Sequence, residues 1–199
     1  YVLDAKEGAK LVYGHTAKTK EEFNDKINRE QWRELFIEEE VKVGDFFYIP
    51  AGTLHAIGEG ILIYEVQQNS DTTYRVYDYD RVDKDGNKRE LHIEKTKDVT
   101  KVPFEKVTTS PRTEKLEGAT VTHLADEKYF SVFKVEVEGQ VSLEKTQTGN
   151  LFTVLKGSGN VEIEGSIYDV KKGDSFILTT DCSKYTLKGN MFLVGSHDR

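Results

Sequence analysis

Along much of the chain, apolar and polar residues alternate with a period of two. Ser131-Val132-Phe133-Lys134-Val135-Glu136-Val137-Glu138 is one such run, and Asn160-Val161-Glu162-Ile163-Glu164 is another. Successive strand side chains point to opposite faces, so this alternation predicts half-buried antiparallel strands. Turn-forming residues punctuate the runs at Asp85-Gly86-Asn87, Glu138-Gly139, Gly157-Ser158-Gly159 and Gly189-Asn190,. Many short strands with regular turns imply a sandwich or barrel, the jelly roll included. The period changes in two places. Thr19 and Glu22 have capping-box spacing, and Phe23, Ile27, Leu35 and Phe36 follow at approximately helical intervals,. A helix or helix pair is expected over roughly residues 19–38. A shorter helix is expected from about His92 to Val99, ending before Pro103,. The polar, proline-broken stretch 108–112 reads as a connector.

The pattern also repeats. Gly44-Asp45-Phe46-Phe47-Tyr48-Ile49 resembles Gly173-Asp174-Ser175-Phe176-Ile177-Leu178, 129 positions later, and the same offset carries Gly60 onto Gly189. Val2-Leu3 resembles Val154-Leu155 at an offset of 152. The 23-residue difference is close to the length of the predicted helical segment. The simplest reading is two β lobes of one architecture, over 1–97 and 98–199, with a helical insertion in the first. The offset of 129 places Lys184 where the first lobe has His55. Imidazole is a common ligand for a divalent metal and an ammonium is not, so if the fold turns these residues inward the first lobe could bind a metal and the second could not; a lone histidine in a strand is more often structural.

Composition narrows the partners. Of 199 residues, 28 are Lys or Arg and 35 are Asp or Glu, giving a net charge of −7. The basic residues are scattered among acidic ones, which argues against a phosphate backbone as partner. No run of 18 apolar residues occurs, so no membrane-spanning helix is expected,. A lone Cys182 and the absence of a signal-like start lead to a cytoplasmic reading,.

Two longer segments carry a resemblance. Val43-Gly44-Asp45-Phe46-Phe47-Tyr48-Ile49-Pro50-Ala51-Gly52-Thr53-Leu54-His55-Ala56 resembles the second conserved-type motif of the cupins. Residues 65–81, with Ser70-Asp71-Thr72-Thr73-Tyr74-Arg75 at their centre, resemble the signature of type I mannose-6-phosphate isomerases, particularly the short bacterial form. The resemblance covers essentially the whole chain.

It implies a mainly β fold of two cupin-type jelly-roll lobes with helices attached. It implies interconversion of mannose 6-phosphate and fructose 6-phosphate, with zinc as cofactor and a hexose 6-phosphate as partner. In the family a histidine of the Pro-x-Gly-x-x-His segment binds zinc, which matches His55. The arginine of the Ser-Asp-x-Thr-x-Arg segment is treated as catalytic, which matches Arg75. The remaining family ligands, a glutamine, a histidine and a glutamate, would lie before residue 1. The chain is therefore expected to be the C-terminal two-thirds of a longer protein, with its first lobe lacking its opening strands. His15, placed at a turn before the helix, and His92, His123 and His197 are not expected to replace those ligands. Zinc binding by this chain alone is expected to be weak or absent, without turnover. Three other readings stand beside this one: a metal-free sugar-phosphate-binding cupin module, a cupin oxygenase with a two-histidine, one-carboxylate triad, and a structural β pair.

Overall fold

The computed structural model describes residues 1–70, 72–145, 148–179 and 181–199. The chain divides into two compact units, Tyr1–Thr108 and Thr109–Arg199. The division falls at the start of the polar 108–112 stretch, so residues 98–108 belong with the first unit.

The first unit runs β1 (Val2–Ala5), β2 (Lys10–His15), α1 (Lys20–Asn28), α2 (Trp32–Leu35), β3 (Phe36–Glu40), β4 (His55–Ile57), β5 (Ile61–Ile63) and α3 (Ile93–Val99). β2 lies between β3 and β4 in a three-stranded antiparallel sheet, and β1 pairs with β5. The start of α1 is capped as the spacing predicts. The Thr19 hydroxyl accepts the Glu22 N–H at 3.2 Å, and the Glu22 carboxylate accepts the Lys18 N–H at 2.8 Å,. Its end is a Schellman turn with Glu30, at φ 55°, in the place usually taken by glycine,. Phe23, Ile27 and Leu35 bury the inner face of the pair against Val76. Each such side chain contributes about 1.5–3 kcal/mol of burial. The helical pair ends at Leu35 rather than 38. Phe36–Glu40 is recruited by β2, with Glu40, Glu39 and Glu38 opposite Lys10, Leu11 and Val12, so tertiary pairing overrides the local helical period.

A second cluster, Val2, Leu11, Tyr13 and Val41 with Phe47 and Phe104, lies on the sheet. Gly14 makes it possible. Its φ is +90°, and a Cβ there would stand 2.3 Å from the Phe104 ring,.

The second unit runs β6 (Arg112–Leu116), β7 (Ala119–Asp126), β8 (Phe130–Glu144), β9 (Asn150–Ile163), β10 (Ser166–Lys171), β11 (Ser175–Leu178) and β12 (Lys184–Asp198). These form one antiparallel sheet in the order β10-β9-β12-β8-β7-β6, with β11 also on β9. The buried faces of β8, β9 and β12 meet in a core around Val135, Val154, Leu187 and Leu193. Three expected turns are not turns. Strands β8, β9 and β12 run straight through Glu138-Gly139, Gly157–Gly159 and Gly189-Asn190. Gly189 stands opposite both Gly139 and Gly159. A Cβ on Gly159 would meet the Lys188 carbonyl at 2.0 Å and one on Gly157 the Asn190 carbonyl at 2.1 Å, so these two serve close strand approach within the sheet, whereas Gly139 has open space around it and is set apart by its φ of +123°,.

The repeat is reproduced hydrogen bond for hydrogen bond. In the first unit, Val2 N–H donates to Asp45 O (2.9 Å), Gly44 N–H to Val2 O (2.9 Å), and Lys42 N–H to the Asp45 carboxylate (2.9 Å). In the second, Val154 N–H donates to Asp174 O (2.9 Å), Gly173 N–H to Val154 O (2.8 Å), and Lys171 N–H to the Asp174 carboxylate (2.9 Å). Gly44 and Gly173 share φ +95°. The copies then differ. Residues after Asp174 form β11 on β9, whereas Phe46–Pro50 joins no ladder among the described residues.

Candidate active site

One cleft in the first unit gathers the residues that the motifs single out. It has a volume of about 1360 Å³ and is lined by β2, β4, the Pro50–Leu54 turn and the segment from Tyr74 to Asp78. His55 opens β4 opposite Tyr13 and is exposed to the cleft. Its Nδ1 lies 2.9 Å from the Thr53 carbonyl, so Nδ1 carries the proton and Nε2 presents a lone pair,. That is the tautomer a metal ligand needs.

Arg75 lies in the irregular segment between β5 and α3, and its position is held from both sides. Its N–H donates to His92 Nδ1 at 3.2 Å, and its carbonyl accepts the His92 N–H at 2.7 Å. Before it, the Tyr74 carbonyl accepts the Thr96 hydroxyl at 3.3 Å. After it, Val76 is buried under α1 and α2, and Tyr77 stacks on Trp32 with ring centroids 4.9 Å apart. The Arg75 side chain is 27% exposed and lines the same cleft as His55. Asp71, part of the same motif, lies outside the described residues.

Beyond Arg75 the chain makes a tight turn at Asp78. Tyr79 and Asp80 both have φ 54°, and the Arg81 N–H closes the turn on the Asp78 carbonyl at 3.1 Å. Left-handed non-glycine residues are strained, and such strain collects at functional sites. Asp78 is buried, yet three guanidinium groups surround its Oδ1. Arg81 Nη2 is in direct contact, while Arg75 Nε and Arg89 Nη1 are each 3.8 Å away. The Arg81 hydrogen bond, helped by the other guanidinium charges, holds the Asp78 carboxyl below the usual carboxylate range,. The second carboxylate oxygen, Oδ2, is buried without a hydrogen-bond partner among the described residues.

The other histidines are accounted for elsewhere. His15 is not in a turn; it ends β2 and is buried, because the strand continues until its ring packs against Phe23 at 4.7 Å. Its Nε2 meets the Lys101 carbonyl at 2.9 Å, and burial pushes its pKa below the ordinary value. His92 precedes α3 and serves Arg75. His123 and His197 lie on β7 and β12 of the second unit. Among the described residues no group of three or more His, Cys, Asp or Glu could hold a metal ion. Zinc usually takes three or four protein ligands. Among the described residues His55 stands without two further such side chains beside it, and the residues present do not by themselves fit the ion.

The motifs thus led to His55 and Arg75. They did not lead to His92, Asp78, Arg81 or Arg89 as site residues. The available signal was the density of charge in Asp78-Tyr79-Asp80-Arg81, but its meaning depends on a hairpin that returns Arg89 to the same place.

Comparison with known proteins bears on this cleft. Residues 120–198 match the family model described as mannose-6-phosphate isomerase, cupin domain. The chain is 43% identical over 197 residues to the mannose-6-phosphate isomerase ManA of Bacillus subtilis, and 42% identical to the mannose-6-phosphate isomerase of Streptococcus mutans. Each alignment covers 99% of this chain and 62% of the relative, so the chain spans about three-fifths of their length. Its structure matches the crystal structure of the mannose 6-phosphate isomerase from Bacillus subtilis with a TM-score of 0.94 at 41% identity, over 99% of this chain and 63% of that one. The architecture is mainly β, with the cupin-domain match falling in the second unit, and among the described residues no helix is long and apolar enough to cross a membrane.

Proposed function

We propose that this chain, similar over nearly its whole length to the C-terminal part of mannose-6-phosphate isomerases, carries part of the active site of an aldose–ketose isomerase. The substrate is a hexose 6-phosphate, interconverted between mannose 6-phosphate and fructose 6-phosphate. The observation that carries the reading is the joint placement of His55 and a locked Arg75 on one cleft.

The chemistry follows from the reaction's charge. A proton leaves C2 of the open-chain aldose and one is delivered to C1, through an enediol whose oxygens bear developing negative charge. A fixed guanidinium beside those oxygens stabilises that charge without having to reorganise. Arg75 is suited to this role because its main chain is clamped by His92 and its neighbour Val76 is buried. A planar fork also binds two oxygens at once, which matches an enediolate. His55, with Nε2 free to coordinate, would be one ligand of a zinc ion completed by further ligands; such an ion would polarise the same sugar oxygens. The steps assigned here are those of the chain's own residues: binding in the cleft, orientation, and charge stabilisation by Arg75.

The test compares two polypeptides. The full-length protein carrying this chain, loaded with zinc, should convert mannose 6-phosphate into fructose 6-phosphate. The 199-residue chain alone should hold less than stoichiometric zinc and show no turnover. Absence of fructose 6-phosphate from the full-length protein, or turnover by the isolated chain, would sink this reading.

A further inference from the structure

We infer that Arg81 and Arg89 are the anchor for the phosphate group of the substrate, leaving Arg75 for the reacting end of the sugar. The inference rests on the hexose 6-phosphate reading for its ligand class; its own support is the charge geometry of one hairpin.

The segment 81–89 is a short hairpin. Val82 bridges Lys88, which sets Arg81 and Arg89 opposite each other at the hairpin's base. Its loop is closed by Asp83, whose carboxylate accepts the N–H groups of Asp85 at 2.8 Å and Asn87 at 2.9 Å. Like charges placed opposite each other on paired strands repel. The fold nevertheless positions two guanidinium groups this way and adds a third, Arg75, at the same carboxylate. Asp78 supplies one negative charge against three positive ones. Lys88 does not alter the balance, because it is paired with Asp80 at 2.7 Å. Two positive charges therefore remain, close to the −1.5 to −2 that a phosphate monoester carries at neutral pH.

Exposure divides the three arginines. Arg81 and Arg89 have side chains 62% and 61% exposed, against 27% for Arg75. The accessible pair is thus at the mouth, and the inner arginine is the one whose backbone is clamped. All three line the cleft that holds His55. The strained turn gives the arrangement its geometry. With Tyr79 and Asp80 left-handed, the chain reverses so that Arg81 Nε reaches the Asp78 carbonyl at 3.3 Å and Nη2 its carboxylate. The Arg81 fork is thereby oriented before any ligand arrives, and bidentate guanidinium contacts are well matched to phosphate oxygens. Glu38 and Glu59 also line the cleft. Lys10, the cation on that side of the cleft, is paired with Glu38 at 3.6 Å, so the excess positive charge among these lining residues is at the arginine hairpin.

The test is calorimetric titration of the 199-residue chain with inorganic phosphate, mannose 6-phosphate and mannose. Wild-type chain should bind both phosphates, more weakly as salt is raised. Arg89→Gln and Arg81→Gln should each weaken both at least tenfold, with Arg89→Lys intermediate. Lys88→Gln should bind as wild type. Arg81 also supports the turn, so Arg89→Gln, whose side chain is exposed, is the decisive variant if Arg81→Gln loses its thermal transition. Unchanged mannose 6-phosphate binding by Arg89→Gln would overturn the anchor while leaving the isomerase reading intact. So would an absence of phosphate binding by the folded wild-type chain. Phosphate binding through Arg81 and Arg89 in a full-length protein that makes no fructose 6-phosphate would support the anchor and remove the isomerase.

Discussion

His92 and Arg75 are joined twice, main chain to main chain at 2.7 Å and main chain to imidazole Nδ1 at 3.2 Å. Accepting the Arg75 N–H requires Nδ1 to be unprotonated, which leaves the ring proton on Nε2, facing Glu90 at 3.9 Å,. His92 is therefore a positioning residue for Arg75. In the full-length enzyme His92→Ala should lower kcat roughly 10- to 100-fold, the scale of a small displacement of a catalytic group. His92→Asn, whose side-chain oxygen can replace Nδ1 as acceptor, should recover most of the loss. His92→Gln, which places its oxygen nearer the Nε2 position, should not. Equal activity in the Ala and Asn variants would remove the assigned role.

His15 makes the stability of the first unit depend on pH. It is 2% exposed, and burial lowers its folded pKa below the ordinary 6.5. The unfolded chain therefore binds a proton more readily than the folded one, and stability rises with pH across this window. The unit should be unaffected above about pH 6.5 and lose stability progressively as pH falls below it. Thermal scans from pH 7.5 to 5 should show the fall in wild type and a flatter profile in His15→Gln, which can still donate to Lys101. Parallel profiles in the two proteins would contradict this.

Gly14 carries both a left-handed backbone and a steric requirement. Gly14→Ala must displace the Phe104 ring, which is itself packed edge-on against Tyr13 at 5.5 Å. Overpacking of this kind typically costs about 1–3 kcal/mol before the φ strain is added. Denaturant unfolding of the first unit should move to lower concentration, with an unfolding free energy reduced by about 1–3 kcal/mol or more. A neutral substitution would mean that Phe104 can leave its place at little cost.

Leu193 is fully buried in the sheet core of the second unit. Leu193→Ala should cost about 2–5 kcal/mol through lost transfer energy and a residual cavity. Leu151, 51% exposed on β9, is the control, and its replacement by Ala should change the unfolding free energy by less than about 0.5 kcal/mol. Similar effects at the two positions would contradict the core assignment.

How far the sequence disclosed this molecule depends on the range of the interaction concerned. The Thr19–Glu22 cap and the α1 face are local and were legible from spacing. The duplication was legible too, since Asp45 and Asp174 close the same turn in both units and the offsets of 129 and 152 pair their partners. Glycine is ambiguous locally: at Gly157, Gly159 and Gly189 it serves close strand approach, yet it looks the same as a turn glycine. Residues 36–38 looked helical until β2 claimed them. In the cleft, His55 and Arg75 could be singled out from sequence because each sits in a long motif, and both line it. The meeting of Arg75, Arg81 and Arg89 on Asp78 was not, because it depends on a hairpin and on a strained turn built without glycine.

The most direct test of the account is the effect of Arg75→Lys on conversion of mannose 6-phosphate by the zinc-loaded full-length protein. The substitution keeps the charge but removes the planar fork. The account predicts fructose 6-phosphate from wild type and a fall in kcat of about 10²- to 10³-fold in the variant, the usual scale for losing one charge-stabilising donor, with metal content unchanged. A variant that turns over at the wild-type rate would contradict the role assigned to Arg75.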